Sequence, residues 1–254
     1  MNKTEKVALV YKKLGETPLE ALERFRAEYR LAKEIPLTYA GRLDPMAEGQ
    51  LLILIGDECK NKEKYLGLDK EYEVEIVFGI ETDSYDALGL VTKIAPSGTD
   101  EIKIPDLKSY YGKFLQEYPP YSSKTVGGKQ LHQLSRANEL PEEMPTKEVE
   151  IYSIEEMSRG KISSKDLVAR IGAAVDLVKG DFRQEEIKEG WGVLLRDASP
   201  TSKNHFNYLK CRVKCSSGTY MRSLAYRMGQ DAGTGAFAIS IKRTHIFDKK
   251  KSVL

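Results

Sequence analysis

The chain opens on a short apolar stretch at 7–11, which reads as a strand, and its hydrophobic period then changes repeatedly. Thr17-Pro18-Leu19-Glu20 has the form of a capping box with proline at the first helical position. Leu22, Phe25 and Tyr29 follow at helical spacing, predicting a helix to about Lys33 that Ile35-Pro36 closes. No period is visible over 39–49, where Gly41, Pro45 and Gly49 mark an ordered loop. The apolar run 50–55 reads as a buried strand, 59–66 as a short helix, the alternating 72–78 as a strand, and 82–89 as an acidic, turn-rich loop. Helices are predicted over 105–115 and 129–137, separated by Pro119-Pro120 and Gly127-Gly128, and a strand over 148–154. The segment 164–179 is amphipathic, with Leu167, Ile171, Ala174 and Val178 on one face, and 185–195 reads as a second helix. A strand at 209–215, a helix at 220–232 and a strand at 236–242 complete the series.

Strands and helices mix here without a steady βαβα alternation. The pattern predicts an α+β fold with a mixed, mostly antiparallel sheet rather than a doubly wound parallel one. No fixed-period repeat or low-complexity stretch divides the chain, and it carries no GxGxxG, GxxxxGK[ST] or HExxH sequence. With 254 residues, 31% of them charged and 41% hydrophobic, the composition is that of a globular chain able to bury a sizeable core. The longest aliphatic run spans only Leu51 to Ile55, against about 20 residues for a membrane span, and no leader-like apolar stretch follows Met1. A cytoplasmic protein is expected, with no membrane association.

The net charge of +2 conceals an asymmetry: residues 203–254 carry +9 and the remainder −7. A basic C-terminal fifth fits a polyanionic partner, and it equally fits a solvated basic face with a Lys249-Lys250-Lys251 tail. The cysteines are Cys59, Cys211 and Cys215, an odd count that argues against a disulfide framework. On a strand the α-carbons of Cys211 and Cys215 would lie roughly 13 Å apart, too far to share a zinc ion. Buried structural thiols and no metal site are expected.

Three segments could carry chemistry. In Gly41-Arg42-Leu43-Asp44-Pro45 the aspartate precedes a proline and is held extended, either at the mouth of a dry pocket or as an ordinary turn residue bonded to its own backbone. Ser216-Ser217-Gly218-Thr219-Tyr220-Met221-Arg222 is a strand-to-helix junction. An arginine in a first helical turn opposes the helix dipole unless an anion lies close, and any surface carboxylate would serve as well as a functional one. Tyr72, opening a strand after Lys70-Glu71, is by default a core or edge aromatic.

Together these segments resemble the TruB family of tRNA pseudouridine synthases, which modify uridine 55 in the T-arm. Residues 39–49 are similar to that family's catalytic loop. Lys70-Glu71-Tyr72, Gly79-Ile80-Glu81-Thr82-Asp83-Ser84-Tyr85-Asp86, Pro119-Pro120-Tyr121-Ser122-Ser123-Lys124 with Gly128-Lys129, residues 215–222, and the strand ending Lys242-Arg243-Thr244 follow in the family's order. The match covers about 6–157 and 207–247. It implies the pseudouridine synthase fold: a mixed, mostly antiparallel sheet with flanking helices and a central cleft for a flipped nucleotide.

The resemblance further implies that Asp44 is the catalytic aspartate. Tyr72 matches the tyrosine that stacks on the target base and is placed for proton transfer, and Arg222 the arginine paired with the carboxylate. Tyr39, Arg42, Asp83, Tyr220, Ile241, Lys242 and Arg243 match substrate-binding positions. The family uses no metal or organic cofactor. The partner implied is the T-arm of tRNA, and a monomer is expected. The chemistry is consistent with these roles. Isomerisation breaks the N1–C1′ bond, turns the uracil and forms C5–C1′, which a carboxylate can assist covalently where water is excluded. An arginine beside Asp44 would favour its ionised form in an apolar cleft. Tyr72 offers a flat face to an extruded base, and the basic C-terminal segment could grip phosphates.

Three features depart from the family pattern. Tyr39 stands where the catalytic loop commonly has histidine, and Lys12-Lys13 replaces a Lys-Pro. A single catalytic domain without the C-terminal PUA-like domain is expected, since Leu254 follows soon after the last motif. About 45 residues, 158–203, interrupt two strands as a probable helical insertion that contacts tRNA, braces the cleft or is decorative. Three functions rival the synthase: a tRNA-binding or folding module of the same fold that has lost catalysis, an RNA-guided relative, and a hydrolase using Asp83 and Asp86. The last lacks a metal-ligand pattern.

Overall fold

A strand that is apolar on both faces needs cover on both, and the architecture follows from that demand. In a computed structural model of the chain, which describes residues 6–95, 102–196 and 205–247, the elements run β1 (Val7–Lys12), α1 (Pro18–Glu28), β2 (Leu37–Ala40), β3 (Ala47–Ile55), α2 (Lys62–Leu66), β4 (Asp69–Phe78), β5 (Ile80–Thr82) and β6 (Val91–Ile94). There follow β7 (Gly112–Glu117), β8 (Thr125–Val126), β9 (Lys129–Gln130), α3 (Leu131–Arg136), β10 (Thr146–Ser163), α4 (Ser164–Asp176), α5 (Gln184–Arg196), β11 (His205–Cys215), α6 (Met221–Asp231) and β12 (Ala236–Phe247). The main sheet has the order β1-β3-β12-β4-β11-β10-β7, with β2 also on β3. Its pairings are antiparallel except β3 with β12. The expected α+β class and mixed sheet are therefore present.

Alternation along β4 divides the core. Val74, Ile76 and Phe78 join one cluster, which α6 covers with Met221, Leu224, Ala225 and Met228. Val77 faces the other way, into a cluster with Phe237, Ile239, Leu167, Ile171, Val175, Ile187 and Trp191. The α4–α5 pair thus covers the second face of the sheet, and Met46 of the 41–46 loop and Ala87 and Leu88 of the 82–89 loop share that cluster. A smaller cluster seats Leu22 and Phe25 of α1 on Ile53.

β3 also positions the loop before it. β1 occupies one edge of β3 through Gly49–Leu54. On the opposite edge β2 pairs with residues 52–55 and β12 with 47–49. The loop 41–46 leaves β2 and enters β3 where that edge changes partner. Gly49 permits the junction: its φ is +112°, and an added Cβ would lie 2.2 Å from the Arg243 carbonyl oxygen.

Several predicted elements are corrected. The first helix stops at Glu28, not near Lys33, because Arg30 adopts φ 50° and Arg26 caps the chain beyond by donating to the Ala32 and Ile35 carbonyls. Leu31 thereby turns back onto the α1 cluster. The helix expected over 105–115 is a single 3-10 turn at Leu107–Tyr110 followed by edge strand β7, which pairs with β10. Gly112, at φ 88°, separates the two. On α4 the buried position is Val175 rather than Ala174, one i to i+4 step from Ile171. The interrupting segment begins later than 158, since β10 stays paired with β11 out to Ser163 opposite His205; its described helices are α4 and α5. Lys203 and the Lys249-Lys250-Lys251 tail lie outside the described residues.

Trp191 is fully buried 5.2 Å from the Phe237 ring, and its indole N–H has no partner among the described residues. Trp191→Ala should therefore cost about 3–5 kcal/mol in urea unfolding. Trp191→Phe, which gives up no hydrogen bond, should cost under about 1.5 kcal/mol.

Candidate active site

Asp44 and Arg222 are 178 positions apart in sequence, and the fold joins them: the Arg222 Nε donates to Asp44 Oδ2 at 2.8 Å. Arg222 enters from the first turn of α6, where only 3% of its side chain is open to water, while Asp44 keeps 37% of its own open. Each of the three guanidinium nitrogens is employed. Its Nη1 donates to the Ser84 carbonyl at 2.9 Å and its Nη2 to the Tyr121 carbonyl at 3.0 Å. Asp86, also buried, lies 3.7 Å from Nε. Burial opposes the Arg222 charge, and the Asp44 and Asp86 carboxylates more than restore it. Burial pushes the Asp86 carboxyl up, with Arg222 and the Ser84 hydroxyl pulling the other way. The anion that the sequence required near an arginine in a first helical turn is thus Asp44, with Asp86 behind it.

Two buried cations hold the Asp44 loop. Arg243, 1% exposed, donates from Nε to the Gln50 carbonyl at 2.6 Å, from Nη2 to Gly41 at 3.0 Å and from Nη1 to Arg42 at 3.3 Å. Lys12, fully buried at the end of β1, donates to the Ala47 carbonyl at 2.6 Å and to Lys13 at 3.0 Å. An irregular loop leaves carbonyls without ladder partners; Arg243 satisfies those of Gly41 and Arg42, and Lys12 secures the loop's exit at Ala47. Burial pushes the Lys12 ammonium down to about 8, against the upward pull of Glu16, Asp44 and Glu48. Lys70, likewise buried on β4, is pushed down to about 8 by burial and by Arg243.

The Asp44 carboxylate opens into a cavity of about 620 Å³. Tyr72, Tyr220, Tyr39, Ile241 and Leu43 supply its apolar walls, and Arg42, Lys147, Arg136 and Arg183 its cationic ones. Tyr72 lies on β4 with 8% of its surface exposed, and burial pushes its phenol up. Tyr220 is the N-cap of α6, and Gln116 of β7 clamps its peptide, accepting from its N–H at 2.7 Å and donating to its carbonyl at 3.1 Å. Burial, with Asp44 nearby, pushes the Tyr220 phenol up to about 12. The Ser122 hydroxyl is buried in the cavity wall and has no partner among the described residues.

The residues singled out from sequence divide into groups. Asp44, Tyr72, Arg222, Tyr39, Tyr220, Ile241 and Arg42 meet at one cavity. Arg243 also lines it, but as the clamp of the loop. Asp83 stands behind the wall, its carboxylate taken by Arg183, by the Tyr121 hydroxyl and by the Leu90 N–H. Lys242 falls between Ile241 and Arg243 on β12, so alternation turns it to the other face of the sheet. Within the basic C-terminal stretch, Lys210 and Arg212 pair with Glu73 of the neighbouring strand, and Lys214 lies over the Phe247 ring. Gln116 and Arg183 carried no motif, and Lys12 entered only as part of the Lys12-Lys13 that replaces a Lys-Pro. A lysine closing an apolar strand was the available sign for Lys12, while Gln116 was obscured by reading its segment as helix. Cys211 and Cys215 are free and buried on β11, and no group of three or more His, Cys, Asp or Glu is placed to hold a metal among the described residues. No helix of these residues is long and apolar enough to cross a membrane.

A mixed sheet carrying a carboxylate–arginine pair at the floor of an aromatic cleft places the chain among proteins of the pseudouridine synthase fold. In agreement, 95% of the chain superposes on 48% of a chain in the Cbf5-Nop10-Gar1 complex, with a TM-score of 0.53 and 17% identity. An H/ACA RNP bound to a substrate RNA containing 2′-deoxyuridine gives 0.50 and 16% over 47% of its chain. At that identity the likeness is one of fold alone. Residues 30–180 match the TruB family pseudouridylate synthase (N terminal domain). tRNA pseudouridine synthase B of Aquifex aeolicus is 28% identical over 94% of this chain and 67% of its own length. The Lactobacillus johnsonii protein of that name is 31% identical over the same shares, and that of Clostridium acetobutylicum 27% identical over 92% of this chain and 64% of its own. The chain belongs to the TruB family of pseudouridylate synthases. It spans about two thirds of the length of these relatives.

Two measurements probe the site. Arg222→Met strips the buried Asp86 of its cation and should cost about 3–5 kcal/mol in denaturant unfolding. For Lys12, an unfolded chain holds the proton to near the ordinary value of 10.5 while the folded state releases it at about 8. Stability is therefore penalised below pH 8, and the penalty lifts as pH rises from 8 towards 10. Between pH 7.5 and 10 the wild type should gain about 2 kcal/mol relative to Lys12→Met.

Proposed function

We propose that this chain converts uridine 55 in the T-arm of tRNA to pseudouridine, with Asp44 as the nucleophilic carboxylate. The observation that carries the reading is the Asp44–Arg222 pair: a partly open carboxylate on a buried guanidinium, hydrogen-bonded through all three of its nitrogens, at the floor of an aromatic cleft. A module that only bound RNA would have no use for a carboxylate there, since the substrate is itself an anion.

A uridine within a folded T-arm reaches such a floor only when it is turned out of its stack. The cleft suits an extruded base. Tyr72 presents a largely buried ring on which uracil can lie, Tyr220 and Ile241 bound it laterally, and the unpartnered Ser122 hydroxyl offers a hydrogen bond to its polar edge. Arg42 and Lys147 at the cleft supply charge for phosphates. Arg222 and the packed loop hold Asp44 in place with little reorganisation. The isomerisation balances within the nucleotide. The N1–C1′ bond breaks, the uracil rotates, C5–C1′ forms, the C5 proton departs and N1 takes up a proton. Exclusion of water protects the covalent stage from hydrolysis. The same reading makes residues 6–247 one catalytic domain, with the α4–α5 segment built into it.

The test is position-resolved detection of pseudouridine in an unmodified tRNA transcript. Wild type should convert uridine 55, and Asp44→Asn should lose conversion while retaining tRNA affinity. No conversion by wild type, with tight salt-sensitive binding by both proteins, would instead identify a binding module of the same fold.

A further inference from the structure

The tip between α4 and α5 reaches the cleft. Arg183 adopts φ 61°, a backbone region that costs energy for any side chain but glycine. What it gains there is a two-pronged contact with Asp83, Nη1 to Oδ2 at 2.7 Å and Nη2 to Oδ1 at 3.3 Å. The guanidinium also lies 4.5 Å from the centre of the Tyr121 ring, and the Tyr121 hydroxyl donates to the same Asp83 Oδ2 at 3.2 Å. Arg183, Asp83 and Tyr121 therefore form one closed unit, with 17% of the Arg183 side chain and 24% of the Asp83 side chain open to water. The tip itself is braced. The Gln184 amide donates to the Val178 and Gly180 carbonyls, and Asp181 accepts from Arg136 of α3.

This unit borders the catalytic pair directly. Apart from Asp44, Arg222 donates to two groups: the carbonyl of Ser84, next to Asp83, and the carbonyl of Tyr121 itself. Both acceptors that orient the guanidinium thus belong to segments that Arg183 ties together. Its own Nη groups are engaged with Asp83, so it is not a free cation awaiting a phosphate.

The structure assigns to Arg183 the role of a positioning residue, contributed by the α4–α5 segment, which fixes the Ser84 and Tyr121 carbonyls and through Arg222 sets the geometry of the Asp44 carboxylate. The assignment rests on the reading of Asp44 as the reacting group. It gives the interrupting segment a task in the reaction without contact with RNA.

The test compares wild type with Arg183→Ala, Arg183→Lys and the control Lys188→Ala, which removes ion pairs elsewhere on the same two helices. Single-turnover pseudouridine formation at saturating enzyme, tRNA affinity and the solvent exchange of the Arg222 Nε–H by ¹⁵N NMR are measured for each. Arg183→Ala should slow the single-turnover step by about tenfold or more with tRNA affinity changed by less than about twofold, and should accelerate exchange of the Arg222 Nε–H. Arg183→Lys, which keeps the charge but loses the planar fork, should fall between; it carries the test if the alanine variant does not fold. Lys188→Ala should leave all three readings at wild type. An unchanged single-turnover rate in the Arg183 variants overturns the assignment, as does weakened tRNA binding as the sole effect, which would make Arg183 an RNA contact. A wild type without turnover would refute the Asp44 reading. The exchange measurement then decides alone: lost protection in Arg183→Ala upholds the positioning role, and unchanged protection overturns it.

Discussion

An arginine side chain with 2% of its surface exposed is stable inside a protein only if every donor and its charge are met. Arg222, carried by α6, is met by three segments far apart in sequence: the Asp44 loop, Ser84 and Asp86, and Tyr121. Satisfying one guanidinium therefore requires that these segments converge, and the convergence creates the cleft. Buried ion pairs contribute little net stability because desolvation offsets the Coulomb attraction. What the arrangement secures here is geometry, with Asp44 held on a fixed base and its remaining surface turned to the cavity.

The same physics recurs around it. The Asp44 loop is irregular, and its Gly41 and Arg42 carbonyls find a buried cation, Arg243, in place of strand partners, while Lys12 meets the Ala47 carbonyl where β3 begins. The peptide of Tyr220 is clamped by Gln116. Arg183 closes a further ring around Asp83 and Tyr121. In each case a polar side chain satisfies backbone or carboxylate groups of a segment distant in sequence. On the outward face of β4 and β11 the charges do different work, pairing Lys210 and Arg212 with Glu73 across strands, where exposed pairs contribute little to stability.

The segment between β10 and β11 is part of this construction. Its helices bury Leu167, Ile171, Val175, Ile187 and Trp191 in a cluster that also holds Met46, two residues from Asp44, and Ala87 and Leu88, beside Asp86. Its apolar face thus packs beneath both loops, and its polar tip grips them through Asp83.

Much was legible in the chain itself. The apolar run at 50–55, the capping box at Thr17 and the amphipathic 164–179 each encode an element through local period or local hydrogen bonding, and Asp44, Tyr72, Tyr220 and Arg222 stand out through the order of their motifs. The misread parts share a cause. Residues 105–115 form a turn and an edge strand because β10 offers a pairing edge, and Lys210 and Arg212 of the basic C-terminal stretch meet Glu73, distant in sequence but on the adjacent strand. Lys242 and Asp83 sit in the right motifs, yet strand alternation and a salt bridge withdraw them from the cavity. Local sequence sets period, caps and which side chains exist. Which carbonyl a buried cation meets, and which face a charge occupies, depends on long-range pairing, so the Arg222 network and the reach of Arg183 emerge only once the sheet has closed.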